Sequence, residues 1–478
     1  MSAYLLLVPV AAVLFLNLPH FRLATRIALA VAGVVCVAQG LAALLVSEAR
    51  WASAVPPALD PSRLLAVSFP VDALARVMLL AIALVGLCAV LMARYVREDR
   101  ECAFRFANLL LLAVAGMNGI VLARDLFTLY VFLEITAVAS LVLIVIERGR
   151  PAFEGAFKYL VLSAVATSLL LAGLALLLIV SGSTSFEAAA AGLRAAQGSK
   201  LGLVAVALVL TGLAIKAGVV PFHGWLPDAY ASAPAPTSVL LAGVVTKTTG
   251  VYTLVRVVDS VIGYPAHVRH VLLAIGLLSI VGGGLAALGQ RDLKRLLAYS
   301  SVSQVGYILL GLGAGPGLGV AGAVLHLFNH AVFKSLLFVN ATAVERETGE
   351  RDLQRLGGLQ ARMPVTGATS ILATLSTAGL PPFAGFWSKL LIVVALWKGG
   401  HAAIAAAAVV LSVLTLAYLL RLQRRVFFGP LAAPLAKASE ADRWALAPAL
   451  LLAAITVGIG LAAPWLFHTF LLPVESIL

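Results

Sequence analysis

Three titratable side chains within one apolar stretch recur at every fourth residue, at His326, His330 and Lys334. In an α-helix this spacing places them on one face, about 6 Å apart along the axis. Histidine changes charge near neutral pH, so a row of this kind can pass protons through intervening water. A single buried histidine more often forms a helix–helix hydrogen bond, but the three residues together favour a proton relay.

Four more titratable residues lie within apolar stretches: Glu134, Lys216, Lys247 and Lys389. A charge at the centre of a bilayer costs about 2.5–3.5 kcal/mol or more, so each of these residues is a candidate for function. Burial disfavours the charged ammonium of lysine, whereas a nearby carboxylate favours it. Movement of Glu134 towards or away from Lys216 would therefore load or unload a proton on that lysine.

Other basic residues of the apolar stretches have structural interpretations. Arg76 cannot release its proton, and it follows Asp72 by four residues. We therefore expect Asp72 and Arg76 to form an ion pair near a helix end. Lys158, Lys294 and Arg295 lie at the edges of apolar stretches, where we expect them to anchor helices at the membrane interface.

The elements that position these residues must be membrane-spanning helices. The 478 residues are 62% hydrophobic and 12% charged, with a mean hydropathy of +1.05, which excludes a soluble domain. Apolar stretches of about 20 residues, the length that crosses a bilayer, follow one another almost from end to end. We predict an all-α integral membrane protein of about fourteen spans. We expect no cleavable signal peptide, because the first apolar run lacks a basic segment before it and a small-residue cleavage site after it.

The net charge of +13 does not indicate a nucleic-acid partner, because the basic residues cluster in alternate loops. Cytoplasmic loops of membrane proteins carry such an excess of lysine and arginine. With an even number of spans, both termini are expected on the non-cytoplasmic side of the cell inner (plasma) membrane.

No sequence motif indicates a cofactor or metal. The three cysteines, Cys36, Cys88 and Cys102, form no C-x-x-C pair, and the sequence has no P-loop. We interpret Gly282–Gly284 as a site of close helix packing within an apolar helix. We expect no metal, no cofactor and no redox chemistry in this chain.

Glycine and proline interrupt two of the predicted spans, beside Lys216 at Gly218 and Pro221, and before Lys389 at Gly379 and Pro382. Broken helices at matching places in two halves are typical of transporters built from inverted repeats. The breaks fall in the fourth span of each of two five-span units. The predicted divisions are 1–105 (helices 1–3), 106–258 (first repeat, helices 4–8), 259–430 (second repeat, helices 9–13) and 431–478 (helix 14).

The order of these residues resembles the antiporter-like family of membrane subunits. That family includes Mrp-type cation/proton antiporter subunits, the proton-pumping subunits of respiratory complex I, and subunits of membrane-bound hydrogenases. The resemblance covers nearly the whole chain and is strongest between Asp125 and Lys389. Its segments are Asp125 to Glu134, Lys216 with Pro221 to Asp228, Ala233 to Thr237 leading to Lys247, Asp292 to Ser301, His326 to Lys334, and Gly379 to Pro382 with Lys389.

The resemblance implies a fourteen-helix bundle of inverted repeats that works inside a larger complex. It implies that Glu134 is the glutamate paired with the broken-helix lysine Lys216, and that Lys247 is the connecting lysine. It also implies that His326, His330 and Lys334 form the central axis and that Lys389 leads to the exit side. Because the chain ends soon after its last span, we expect no lateral helix of the kind found in the most distal complex I subunit.

These residues are compatible with three functions. The first is a subunit of a cation/proton antiporter that moves protons and Na+, and the sequence around Lys216, Lys247 and Lys334 is most similar to the Mrp D-type subunit. The second is a pumping subunit of a redox-driven complex, either an NADH:quinone oxidoreductase or a hydrogenase. The third is a structural subunit with a vestigial channel, which the intact set of titratable residues disfavours. All three imply other membrane subunits as partners.

Overall fold

The computed structural model of the protein describes residues 2–18, 25–46, 70–96 and 100–466. Within these ranges the chain is almost entirely helical, and its two β-bridges are isolated. In the same ranges, 12 helices are long and apolar enough to cross a membrane. The predicted class of an all-α membrane protein is confirmed, whereas the count of fourteen spans stays a prediction. The end of the predicted segment 431–478 lies outside the described residues.

The chain forms two compact units, and the first comprises Met1–Ala217 and Val244–Gly263. Its helices, numbered along the chain, are α1 (Tyr4–Leu16), α2 (Thr25–Leu45), α3 (Ala73–Met92), α4 (Arg100–Leu122), α5 (Leu126–Ile144), α6 (Arg150–Ser181), α7 (Phe186–Ala195) and α8 (Lys200–Ala217). Within this unit α4 packs against α5, and α6 packs against α8.

The second unit comprises Gly218–Gly243 and Tyr264–Leu478. Its helices are α9 (Leu226–Ser232), the start of α10 (Ala235–Ile262), α11 (Ala266–Gly289), α12 (Leu293–Ala314), α13 (Leu318–Thr348), α14 (Pro364–Ala378), α15 (Ala384–Lys398), α16 (Ala402–Val426) and α17 (Arg443–Leu466). From Val244 onwards α10 belongs to the first unit.

Glycines bring α11 and α12 into backbone contact. A Cβ atom on Gly283 would lie 2.6 Å from the amide nitrogen of Ser303, and one on Gly276 would lie 2.9 Å from the carbonyl oxygen of Gly306. Small residues allow helices to approach this closely in membranes. The interpretation of Gly282–Gly284 as a packing site is confirmed.

Burial differs sharply between the helices. Within their most apolar segments, 100%, 94% and 89% of the residues of α10, α12 and α13 are buried. In α6 and α16 the corresponding share is 28%. The deeply buried helices carry most of the polar and titratable side chains singled out in the sequence. The exposed positions of α6 and α16 are largely apolar, with side chains such as Phe157 and Val410, as surfaces in contact with lipid must be.

Both predicted helix breaks are present. The helix α8 ends before Gly218, which has a φ of +65°, and α14 ends before Gly379, which has a φ of +86°. Glycine is favoured at such left-handed positions because it has no Cβ atom. Pro221 and Pro382 follow, and proline cannot supply the amide hydrogen that would continue the helix. The interrupted span that carries Lys389 is therefore divided into α14 and α15.

The two halves of the chain repeat several local features at equal spacing. Asp125 caps the start of α5, and Asp292 caps the start of α12. Asp125 forms an isolated β-bridge to the segment that follows α6, and Asp292 forms one to the segment that follows α13. The helices α6 and α13 both end at a glycine in the left-handed conformation, Gly182 and Gly349. The sequence distance from Asp125 to Asp292 equals that from Gly182 to Gly349. This correspondence supports two repeats, and their exact boundaries stay a prediction.

An ion-pair cluster within the first unit fixes the start of α3. Asp72 accepts two hydrogen bonds from Arg256, at 2.7 and 2.8 Å, and one from Arg124 at 2.8 Å. The predicted pair of Asp72 with Arg76 is wrong, because Arg76 donates instead to the carbonyl oxygen of Ala43 at 3.3 Å. The planar guanidinium of Arg256 matches both carboxylate oxygens, which makes it the stronger partner.

The backbone of α10 touches the end of α8 at Gly250. A Cβ atom there would lie 2.3 Å from the Cα and N atoms of Ala217. Lys247 lies one turn earlier, at the start of a π-helical segment of α10. Such widened turns often occur at functional sites. The glycine therefore holds the segment of Lys247 against the residue that follows Lys216.

We expect Asp72→Asn to lower the thermal stability of the protein at neutral pH. Burial by itself raises the pKa of Asp72, but the hydrogen bonds and charge of Arg256, with the charge of Arg124, outweigh it and hold the pKa below its ordinary value. Such a carboxylate stabilises the fold above its unfolded-state pKa of about 3.9, and the contribution is lost as the pH falls through the lower folded-state pKa.

The measurement for Asp72→Asn is the thermal unfolding midpoint of the detergent-purified protein as a function of pH. The difference from wild type should be present at neutral pH and should vanish in acid. Glu101→Gln, which breaks the exposed pair with Arg105, is the matched control and should leave the midpoint unchanged. Equal midpoints for wild type and Asp72→Asn at neutral pH would contradict the role given to this cluster.

We expect Gly250→Ala to destabilise the protein by about 1–3 kcal/mol, because the added methyl group overlaps the backbone of Ala217. The check is the unfolding midpoint together with the amount of assembled protein in the membrane. Gly289→Ala is the control, since a Cβ atom at Gly289 meets nothing within 4 Å. Equal behaviour of the two variants would show that the close approach at Gly250 has no energetic weight.

Candidate proton pathway

Glu134 and Lys216 form an ion pair within the first unit. The Nζ atom of Lys216 lies 3.2 Å from Oε1 of Glu134, as predicted from the sequence. The lysine side chain is 5% exposed and the glutamate side chain is 33% exposed. Lys216 occupies the last turn of α8, where the unpaired carbonyls of the helix end favour a positive charge.

Two hydroxyl groups of α6 complete this ion pair. Thr167 donates a hydrogen bond of 2.6 Å to Oε1 of Glu134, and Lys216 donates one of 3.5 Å to Oγ of Ser163. The ammonium of Lys216 thus contacts both the carboxylate of Glu134 and the hydroxyl of Ser163. A change in the position of Glu134 would leave Lys216 with the weaker hydroxyl partner, which favours release of the proton.

Lys247 is fully buried within α10. The hydroxyls of the adjacent Thr248 and Thr249 donate to carbonyl oxygens of their own helix, at 2.8 and 2.9 Å. These bonds satisfy carbonyl groups in the widened turns, which a membrane interior requires. Lys247 therefore belongs to a polar stretch of an otherwise apolar helix, one turn from the contact at Gly250.

The histidines of α13 stack within the second unit, as their spacing predicts. The ring centroids of His326 and His330 are 6.2 Å apart, and both side chains are fully buried. The Nδ1 atom of His326 is hydrogen-bonded to Oγ of Ser388 at 2.9 Å, and its Nε2 atom has no hydrogen-bond partner in the described part of the chain. One ring nitrogen is thus held while the other is free to exchange a proton.

Lys334 continues this face of α13 and contacts α12. Its Nζ atom donates to Oγ of Ser300 at 2.6 Å and to the carbonyl oxygen of Leu297 at 3.3 Å. Ser300 is hydrogen-bonded in turn to the hydroxyl of Tyr418 on α16 at 2.8 Å. The carbonyl and hydroxyl oxygens accept hydrogen bonds from an ammonium group, and a serine hydroxyl can also donate one to a neutral amine, so the surroundings of Lys334 suit either charge state.

Lys389 binds the end of the broken helix α14. Its Nζ atom donates to the carbonyl oxygens of Thr377 and Ala378, at 2.9 and 3.2 Å. The same atom lies 4.2 Å from the ring centroid of Tyr307, whose ring is 5.9 Å from that of His326. The helix break thus frees carbonyl groups that a buried ammonium requires.

Glycine is required at position 379 for this arrangement. A Cβ atom on Gly379 would lie 2.8 Å from Cδ of Lys389, at a residue whose φ of +86° already disfavours other side chains. The break and the lysine are therefore coupled.

The structure brings the predicted residues together as two groups. One group lies in the first unit and contains the Glu134–Lys216 pair, with Lys247 on the helix that touches the end of α8. The other lies in the second unit and consists of His326, His330, Lys334 and Lys389.

Sequence reasoning missed the neighbours of these residues, which are the ring of Tyr307 and the hydroxyl groups of Ser163, Thr167, Ser300, Ser388 and Tyr418. Serine and threonine are common in membrane helices, so their presence alone carries little signal. The sequence does contain a signal for Ser163 and Thr167, in the spacing of the two halves. The spacing that relates Asp125 to Asp292 also relates Ser163 to His330 and Thr167 to Lys334.

The transmembrane family described as NADH:quinone oxidoreductase/Mrp antiporter matches residues 123–415. The chain is 35% identical over 464 residues to NADH-quinone oxidoreductase subunit N of Desulforudis audaxviator, covering 94% of this chain and 90% of that protein. It is 31% identical over 410 residues to the D-type subunit of the Na(+)/H(+) antiporter of Alkalihalophilus pseudofirmus, covering 85% and 83% of the two chains.

Two solved structures share the fold over nearly the whole chain. A chain of the Mrp complex from Dietzia sp. DQ12-45-1b has a TM-score of 0.86 with 27% identity, covering 97% of this chain and 95% of that one. A chain of an archaeal membrane-bound sulfane sulfur reductase has a TM-score of 0.85 with 28% identity, covering 98% and 95%. The resemblance inferred from the sequence is confirmed: this chain belongs to the NADH:quinone oxidoreductase/Mrp antiporter family of transmembrane subunits.

Proposed function

We propose that this chain is a proton-translocating, antiporter-like subunit of a multi-subunit membrane complex. The observation that carries the proposal is the placement of buried lysines at both broken helices. Lys216 lies in the last turn of α8 beside Glu134, and Lys389 binds the carbonyl groups at the end of α14. Apolar side chains could fill a purely structural role, and burying them in a membrane costs less free energy than burying a lysine. The proposed proton-carrying residues are Glu134, Lys216, Lys247, His326, His330, Lys334 and Lys389.

The proposed step at each lysine is a change of proton occupancy controlled by its partner. In the first unit the partner is the carboxylate of Glu134, which favours the ammonium form while it is close. In the second unit the partners are backbone carbonyls and hydroxyls, and the histidines of α13 lie beside them. We propose that protons enter and leave these groups through water.

We propose a cation/proton antiporter complex of the Mrp type as the setting, with Na+ as the exchanged cation. Support comes from the 31% identity to the D-type subunit of a Na(+)/H(+) antiporter and from the fold shared with a chain of the Mrp complex. The arginine-rich loops, such as the one that contains Arg351 and Arg355, are proposed to face the cytoplasm. Both termini would then lie on the opposite side of the plasma membrane.

The second candidate is a proton-pumping subunit of a redox-driven complex. The 35% identity to NADH-quinone oxidoreductase subunit N, over 94% of the chain, favours it. Affinity purification of the tagged protein from its native membrane, with identification of the co-purifying subunits, separates the two settings. Small hydrophobic antiporter subunits would support the first, whereas Fe–S, flavin or nickel proteins would establish the second.

We expect Lys216→Ala and Glu134→Ala each to reduce proton transport by about 100-fold or more, which is the scale of losing a positioned proton-transfer group. Assembly should remain nearly intact, because removing the pair leaves the helix contacts of α5 and α8 in place. The measurement is dye-monitored proton transport in sealed membrane vesicles, normalised to the amount of assembled complex. The matched control is Lys158→Ala, which breaks the exposed pair with Glu154 and should transport normally. Full transport in both test variants would refute the relay.

A further inference from the structure

The second unit contains a buried ion pair outside the proposed proton-carrying residues. The Nζ atom of Lys294 lies 2.5 Å from Oε2 of Glu345, and the lysine side chain is 4% exposed whereas that of the glutamate is 32% exposed. Arg351 approaches the other carboxylate oxygen at 3.6 Å. The sequence position of Lys294 predicts an interface anchor, which would extend towards the lipid head groups. That prediction is wrong, because the side chain is turned into the protein and is paired.

The repeated architecture does not require this ion pair. The spacing that relates Asp125 to Asp292 places Phe127 at the position of Lys294 and Leu178 at the position of Glu345. Both are exposed apolar side chains, at 54% and 44% exposure. A buried ion pair also adds little net stability, since desolvation offsets the attraction. The second half of the chain therefore carries a charged pair that folding alone does not explain.

A small cavity lies beside the segments of α12 and α13 that carry this ion pair. It has about 10 Å³ open to the centre of a water molecule, which is room for about one water. Its wall includes Leu293 and Val344, the sequence neighbours of the two charged residues. It also includes Leu297, whose carbonyl oxygen accepts the hydrogen bond from Lys334. Three residues, or about 4.5 Å of helix rise, separate Lys294 from Leu297.

Two polar side chains stand in the otherwise apolar wall of this cavity. Asn340 and Ser370 line it, and Asn340 is 2% exposed. The Oδ1 atom of Asn340 accepts a hydrogen bond from Thr369 at 3.2 Å, while its Nδ2 atom has no hydrogen-bond partner among the residues that the structure describes. A buried amide of this kind normally binds protein or ordered water. The geometry therefore favours a water at Asn340.

We propose that the Lys294–Glu345 pair is a proton-loading site and that a row of water molecules, one of them held by Asn340, relays protons from it to Lys334. The inference rests on the proposed function. The ammonium of Lys294 gives a proton to the first water of the row while the last water gives another to the neutral amine of Lys334. Glu345, protonated from solution, then returns a proton to Lys294. One proton has moved, each water of the row is restored once it reorients, and no other bond changes.

The direct test changes the polarity of the cavity and leaves the ion pair intact. Asn340→Leu replaces the amide with an apolar group of similar size, so the water is lost and transport should fall at least about tenfold. Asn340→Ser loses the same amide contacts but keeps a polar group and room for water, so it should transport several-fold faster than Asn340→Leu. If Asn340 had only a structural role, serine, which fills less space than leucine, would reduce transport at least as much as leucine does. Equal transport by the two variants, or wild-type transport by Asn340→Leu, would overturn the proposal.

Thr342→Val is the control for a buried polar change on the same helix. Thr342 is 3% exposed and does not line the cavity. Vesicles that contain the assembled complex with Thr342→Val should transport at the wild-type rate. A loss equal to that of Asn340→Leu would indicate a general sensitivity of α13 and would overturn the assignment of the cavity.

A second test removes the loading charge without a change of shape. Glu345→Gln should reduce transport at least about tenfold, whereas Glu350→Gln, which breaks the exposed pair with Arg355 at the same end of the unit, should not. Wild-type transport by Glu345→Gln would overturn the loading site. Lys334→Ala, measured alongside, tests the proposed function itself. If Lys334→Ala transports normally the pathway is wrong, whereas loss in Lys334→Ala with normal Glu345→Gln refutes only the loading site.

Discussion

A buried ammonium group needs oxygen partners, and in a membrane the fold must supply them. Backbone carbonyls within an intact helix are already bonded to amides of the same helix, so they are not available. Breaking a helix frees its last carbonyl groups. Lys389 binds two such oxygens at the end of α14, and Lys216 lies in the last turn of α8. In the proposed pathway the two breaks are therefore part of the chemistry, and the glycines and prolines that create them are as necessary as the lysines.

The two halves of the chain supply partners to their lysines in different ways. In the first unit a carboxylate and hydroxyls of α6 surround Lys216. At the equivalent positions of α13, Ser163 and Thr167 are replaced by His330 and Lys334. One scaffold thus supports an ion pair in one half and a row of basic groups in the other. In the first half a carboxylate faces the lysine, whereas in the second half several basic groups follow one another along α13.

Much of the site could be predicted from the sequence because charges in apolar stretches are rare. Every proposed proton-carrying residue was identified in this way, and the pair Glu134–Lys216 was predicted as a pair. The fold class and both helix breaks followed from hydropathy, glycine and proline. Local spacing failed for Asp72, whose partner Arg256 is distant in sequence and was not distinguished from other arginines. It also failed for Lys294, because an edge position does not reveal whether a long side chain turns outward or inward.

The central claim is that the buried lysines must release protons and do not merely supply positive charge. Lys216→Arg tests this most directly, because arginine keeps the charge and can still pair with Glu134 but does not deprotonate in proteins. The measurement is proton transport by the assembled complex in sealed vesicles, with wild type and Lys216→Ala in parallel. The account predicts that Lys216→Arg assembles and is as inactive as Lys216→Ala. Transport by Lys216→Arg at the wild-type rate would contradict it, since a permanent cation would then be sufficient.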